Sequence, residues 1–147
     1  MTEHAKEALA IIQKKAPNFK ADLALVLGSG LGKLAESIEN PVIISYNELP
    51  GFPPCSVEGH DGHLFLGELF GVKIACLQGR AHYYEGVSYD RIKSPMRTLK
   101  LLGCKTVLST NSSGSLREEV QPGSLVVIND HINFQFKNPL IGPNDDE

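Results

Sequence analysis

Three short apolar runs, each breaking off into a polar loop that carries glycine, constrain this chain more than any other feature of it. Residues 21–27 (ADLALVL) lead into Gly28-Ser29-Gly30-Leu31-Gly32. The run that ends at Leu77 leads into Gln78-Gly79-Arg80-Ala81-His82-Tyr83-Tyr84-Glu85-Gly86. Residues 106–110 lead into Asn111-Ser112-Ser113-Gly114-Ser115. A continuous apolar run of this length is what a strand buried on both faces requires. In open α/β sheets the ligand lies outside the carboxyl ends of the strands. If the three strands are parallel neighbours, their loops meet around one pocket.

The rest of the chain supplies the layers. Ala5, Ala8, Leu9, Ile12 and Ala16 share one face of a helix over residues 3–15, which Pro17 stops. Residues 33–38 read as a short helix and 41–46 as a strand, while the Pro/Gly-rich stretch 49–54 must be an irregular loop. After a turn at 59–63, residues 64–70 and 72–77 flank Gly71 as a hairpin. Ile92, Met96, Leu99 and Leu102 make 89–102 an amphipathic helix ended by Gly103. Pro95 lies inside it, so the helix either starts near that residue or kinks there. Residues 123–128 read as a further strand, and the tail 137–147 carries no secondary-structure signal. Strands alternating with helices predict an α/β sheet with covered faces. At 147 residues the chain is sized for a single domain, 1–147, with no second one.

Composition narrows the partners. The net charge is −3 with no basic block, which gives no case for nucleic-acid binding. Any anion site must therefore be built from a few placed donors. Cys55, Cys76 and Cys104 share no metal-ligand spacing, and Cys76 and Cys104 read as buried reduced thiols. No apolar run reaches membrane-spanning length and the N-terminus lacks the apolar core of a signal peptide, so the chain reads as cytoplasmic with no membrane partner.

The first loop fits neither well-known phosphate motif. Three residues rather than four separate Gly28 from Gly32, and Leu34 stands where a Walker A loop needs Ser or Thr. Its glycines still allow backbone N–H groups and the Ser29 hydroxyl to approach an anion at a helix N-terminus, although on the motif alone a tight strand-to-helix turn with no ligand is the favoured reading. Arg80 adds a guanidinium that grips phosphate bidentately. His82 can donate to the same anion, and an imidazole titrates near neutrality. A surface ion pair and a structural histidine are the plainer readings of each residue alone. Taken together, after a buried strand and between glycines, they favour an anion site. His60 and His63, flanking Asp61 and Gly62, invite a metal reading, but no third His or Cys has catalytic zinc spacing. His60 fits better as a phosphate or sugar donor, and no metal is expected.

The ordered set GSGLG, GHDGH, GRAHYYEG, TNSSGS and DHIN resembles the trimeric purine nucleoside phosphorylases, from about Leu25 onward. That resemblance implies a three-layer α/β fold with a mixed, largely buried central sheet flanked by helices, incomplete in this chain. It implies reversible phosphorolysis of purine (deoxy)ribonucleosides to free base and pentose 1-phosphate, by a homotrimer with inorganic phosphate as co-substrate and no other cofactor. Carried over by motif, Ser29, His60, Arg80, Ala81, His82 and Ser112 would hold phosphate, with His82 and Arg80 catalytic. Tyr84 would contact the ribose, Glu85 would support the sugar and base side, and Asn111 and Gly114 would shape the third loop.

Two departures bear on this reading. Ser112 and Ser113 stand where the family usually has alanines. The family's chain also continues well past Glu147, carrying the purine-recognising residues and several strands of the sheet, so the chain resembles the amino-terminal half of such an enzyme. The competing expectations are a non-catalytic phosphate or nucleoside-binding module and a metal-dependent hydrolase using His60 and His63.

Overall fold

The computed structural model describes residues 2–53 and 62–142. Helix α1 (Thr2–Lys15) is followed by strand β1 (Leu23–Leu27), a 3-10 turn (Gly32–Ser37) and strand β2 (Glu39–Ser45). Strands β3 (His63–Leu69) and β4 (Val72–Gln78), helix α2 (Tyr89–Leu101) and strand β5 (Thr106–Ser109) complete the elements. The strands form one mixed sheet in the order β2-β3-β4-β1-β5. β1 runs parallel to both β4 and β5, while β3 is antiparallel to β2 and β4.

Alternation along the strands sorts the core into two faces, because successive side chains of a strand point to opposite sides. Ala24 and Val26 of β1, Leu64 and Leu66 of β3, and Ala75 and Leu77 of β4 meet Ala8, Ile12 and Leu99 of the helices. Leu25, Leu27, Phe65, Ile74 and Cys76 face the other way, onto Ala35 and Ile38 at the 3-10 turn. Both helices thus cover one face, and the short turn covers part of the other. The predicted helical stripe holds, with Ala5, Ala8, Ile12 and Ala16 buried.

The hairpin joining β3 to β4 turns through Phe70 (φ 52°) and Gly71 (φ 78°). Positive φ at both central residues matches the right-handed twist of the flanking strands. Pro41 is tolerated because β2 is an edge strand with a register shift between Glu39 and Val42. Helix α2 runs from Tyr89 straight through Pro95, so it does not begin there. Proline cannot donate to the Arg91 carbonyl, and one step back the Ser94 hydroxyl donates to the Asp90 carbonyl at 3.0 Å.

Three expectations change. Residues 33–38 form a 3-10 turn rather than an α-helix. The strand expected to be buried at 106–110 spans 106–109 and is exposed at each of those residues, Val107 by 50% and Leu108 by 53%. It is the outer strand of the sheet, with β1 on one side and no described strand on the other. Residues 123–128 are no strand, and Leu125 and Val127 are exposed by 100% and 92%. A strand exists through pairing, and no described sheet edge pairs with this apolar run.

Candidate phosphate site

Parallel pairing aligns the three loop-bearing strands at their carboxyl ends. Leu27 of β1 is level with Gln78 of β4, and Val26 with Ser109 of β5. The loops beginning at Gly28, Gly79 and Thr110 therefore leave the sheet side by side, as the apolar runs predicted.

Specific bonds tie them together. The Gly28 N–H donates to the Thr110 hydroxyl at 2.9 Å, and that hydroxyl donates to the Val26 carbonyl at 3.1 Å. The Thr110 N–H closes the ladder on the same Val26 carbonyl at 3.0 Å. Arg80 reaches across from the second loop, its Nη1 donating to the Thr110 carbonyl at 2.8 Å and lying 3.4 Å from Ser109 Oγ. Gly28 and Thr110 approach so closely that a Cβ on Gly28 would lie 2.5 Å from the Thr110 carbonyl oxygen. The second loop is held from behind as well: the buried Tyr46 hydroxyl donates to the Gly79 carbonyl at 2.8 Å. Gln78 Nε2 donates to the Gly32 carbonyl at 3.1 Å, linking the second loop to the first.

The predicted site residues sort into groups. Ser29 and Ser112 are exposed on the first and third loops, and Arg80, Ala81 and His82 are half-buried on the second. Because the element after Ser29 is a six-residue 3-10 turn, any donors in this loop are its own backbone amides and hydroxyl rather than an α-helical terminus. Glu85 folds back within its own loop, its carboxylate accepting from the His82 N–H at 2.6 Å, which fixes the short turn Tyr83–Glu85. The Tyr84 ring stacks on His82 at 4.9 Å and 11°, and Tyr84 itself is 77% exposed. His60 lies outside the described residues, as do Cys55 and Asp61. His63 starts β3, half-exposed, edge-on to Phe65. Among the described residues no three His, Cys, Asp or Glu gather where they could hold a metal ion. No helix among them is long and apolar enough to cross a membrane.

Thr110, Tyr46 and Gln78 escaped the sequence reading. Thr110 had a signal in its place, a hydroxyl closing an apolar run just before the polar loop. Tyr46 had none, since its partner lies 33 residues away. Beneath Arg80, a cavity of about 200 Å³ opens between the sheet and α2, lined mainly by apolar side chains including Val26, Leu77, Ile92 and Met96. Among the described residues the cysteines are Cys76, buried, and Cys104, half-buried. Burial pushes the Cys76 thiol up to about 12 and raises that of Cys104, so neither is a ready thiolate.

Comparison with known proteins agrees with this arrangement. The sequence profile of the phosphorylase superfamily matches residues 22–146. Purine nucleoside phosphorylase 1 of Bacillus subtilis (strain 168) is 46% identical over 145 residues, covering 99% of this chain and 53% of the relative. Purine nucleoside phosphorylase of Rattus norvegicus is 42% identical over 130 residues, covering 86% and 45%. The crystal structure of isoform 2 of purine nucleoside phosphorylase from Schistosoma mansoni, in complex with cytosine and ribose-1-phosphate, superposes with a TM-score of 0.87 at 43% identity. That match covers 97% of this chain and 50% of the other. The chain thus spans about half the length of the curated relatives it matches. Since the matched profile takes in all three strand ends and the loops that leave them, the chain belongs to the phosphorylase superfamily.

Proposed function

We propose that this chain carries the phosphate side of a purine nucleoside phosphorylase and corresponds to the amino-terminal half of such an enzyme. One observation carries the reading. Arg80 is oriented by the Thr110 carbonyl at the carboxyl edge of three parallel strands, level with the loops of Ser29 and Ser112. The names of the related proteins supply the substrate class.

In the proposed reaction a phosphate oxygen attacks C1′ of a purine (deoxy)ribonucleoside while the bond to the base breaks. The bonding pair leaves with the purine, which takes up a proton equal to the one that the hydrogen phosphate gives up on becoming the sugar ester. Positive charge builds on the sugar, and a phosphate dianion held beneath C1′ stabilises it by position and electrostatics, with no covalent enzyme intermediate. Arg80 holds the anion as a fixed charge, and His82, Ala81, Ser29, His60 and Ser112 complete its contacts. Tyr84 faces the ribose. The Glu85 bond to the His82 N–H suggests that its support of the sugar side acts in part through the shape of this loop. Inorganic phosphate is the co-substrate, and no other cofactor enters. The same reading takes the assembled enzyme to be a homotrimer working in the cytoplasm.

The test is release of free base from inosine and guanosine with and without phosphate. Phosphate-dependent release is expected of the enzyme in which this half is completed by the remainder of the fold. Phosphate binding without turnover would reduce the chain to a binding module. Cleavage that ignores phosphate and stops on chelation would replace the reading with a metal-dependent hydrolase.

A further inference from the structure

Thr110 is tied to the site through its N–H, its hydroxyl and its carbonyl alike. Its N–H completes the β1–β5 ladder on Val26, and that bond alone is enough to end a strand. Its hydroxyl goes further, accepting from the Gly28 N–H beyond the end of β1 while donating to the Val26 carbonyl. Its carbonyl receives the Arg80 guanidinium at 2.8 Å and lies against Gly28, where no side chain fits between them. One residue therefore touches the starts of all three loops. A valine has nearly the same shape and suits a strand end, so packing by itself gives no reason for a hydroxyl here.

We infer that Thr110 is a positioning residue for the phosphate site, its hydroxyl setting the first loop and its carbonyl aiming Arg80. The inference rests on the phosphate reading above. Without the hydroxyl, the Gly28 N–H loses its acceptor and the Val26 carbonyl loses one of its two donors. The first and third loops can then separate, and the Thr110 carbonyl moves with them, taking Arg80 off its line. The anion would lose alignment with two loops at once, although no group that touches it has been changed.

The experiment compares Thr110→Val and Thr110→Ser in the full chain. Inorganic phosphate is titrated by calorimetry, and hydrogen exchange of the Gly28 amide is followed by NMR. The valine variant should bind phosphate at least about tenfold more weakly, the loss of one well-placed hydrogen bond, and Gly28 exchange should accelerate. The serine variant, which keeps the hydroxyl, should restore both. If Thr110→Val does not fold, Thr110→Cys offers a poor acceptor in a similar volume and is read in the same way. Unchanged phosphate affinity in the valine variant, or accelerated Gly28 exchange with affinity intact, overturns the inference and leaves Thr110 a strand-end residue. No phosphate binding by the unaltered chain overturns the phosphate reading itself, and this inference with it.

Discussion

Two glycines in the first loop should respond to alanine for different reasons, and the contrast tests the packing of the site. At Gly28 the obstacle is a neighbour. An added Cβ would lie 2.5 Å from the Thr110 carbonyl oxygen, 2.9 Å from Asn111 Cα and 3.0 Å from the Thr110 carbonyl carbon. All three are backbone atoms, so no side chain can rotate away, and the third loop must retreat by most of an ångström to reach ordinary contact near 3.4 Å. Forcing an extra carbon into a filled space costs about 1–3 kcal/mol. The retreat also stretches the 2.9 Å bond from Gly28 to the Thr110 hydroxyl, worth about 1 kcal/mol. Stiffening the unfolded chain returns about 0.4–1 kcal/mol. Gly28→Ala should therefore destabilise by about 1–3.6 kcal/mol, centred near 2.3. At Gly30 nothing lies within 4 Å of a Cβ, and the obstacle is the backbone, at φ 85°. Left-handed backbone costs an alanine about 1–2 kcal/mol, and the same unfolded-state gain leaves about 1 kcal/mol. Urea unfolding followed by circular dichroism measures both. Phosphate titration should show that Gly28→Ala, which displaces the loop carrying the Arg80 acceptor, also weakens the anion. A Gly28→Ala variant as stable as Gly30→Ala, or one that binds phosphate unchanged, would refute the close approach of the first and third loops.

The remaining expectations concern single side chains. Arg80→Ala should weaken inorganic phosphate by about tenfold to a hundredfold, the range of a charge-assisted hydrogen bond, and leave nucleoside binding much less affected. Equal losses in the two titrations would count against Arg80 as the anion clamp. His82→Ala should weaken inorganic phosphate by up to about tenfold, the loss of one hydrogen bond from its ring N–H, and unchanged affinity would make His82 structural. Cys76 gives a stability signature. Its thiol keeps its proton to about 12 in the fold, against an ordinary 9.0, because burial penalises the thiolate. Its contribution is thus fully present below pH 9 and declines as pH rises from 9 toward 12, where only the unfolded chain has ionised. The slope is at most about 1.4 kcal/mol per pH unit. Cys76→Ala should show a shallower decline over that range, and parallel slopes for the two proteins would contradict the burial.

Much of the fold was legible because its signals are local. The buried strands announce themselves as continuous apolar runs, α1 as a stripe at helical spacing, and the β3–β4 hairpin by Gly71 between two apolar runs. The polar loops after Leu27, Leu77 and Leu108 marked the site for the same reason, since each motif is contiguous in sequence. Where the reading failed, the deciding partner was remote. Among the described residues, 123–128 have the composition of a strand but no paired edge, and β5 has the composition of a buried strand but stands at the border of the sheet. Composition records what a segment can do, whereas burial and pairing depend on what lies beside it.

By itself, then, the sequence determined the kinds of element, the order of the motifs and the presence of a guanidinium, an imidazole and hydroxyls beside glycines. Only the tertiary structure decided that β1 lies between β4 and β5, which places those groups at one edge. It alone joined Gly28 to Thr110 across 82 residues and aimed Arg80 at the carbonyl of that threonine. It also turned Glu85 back onto the His82 N–H. The physical reason is the difference between periodicity and register. A repeat of side chains along one segment selects helix or strand, but the alignment of separate strands is set by the packing of both faces of the sheet together.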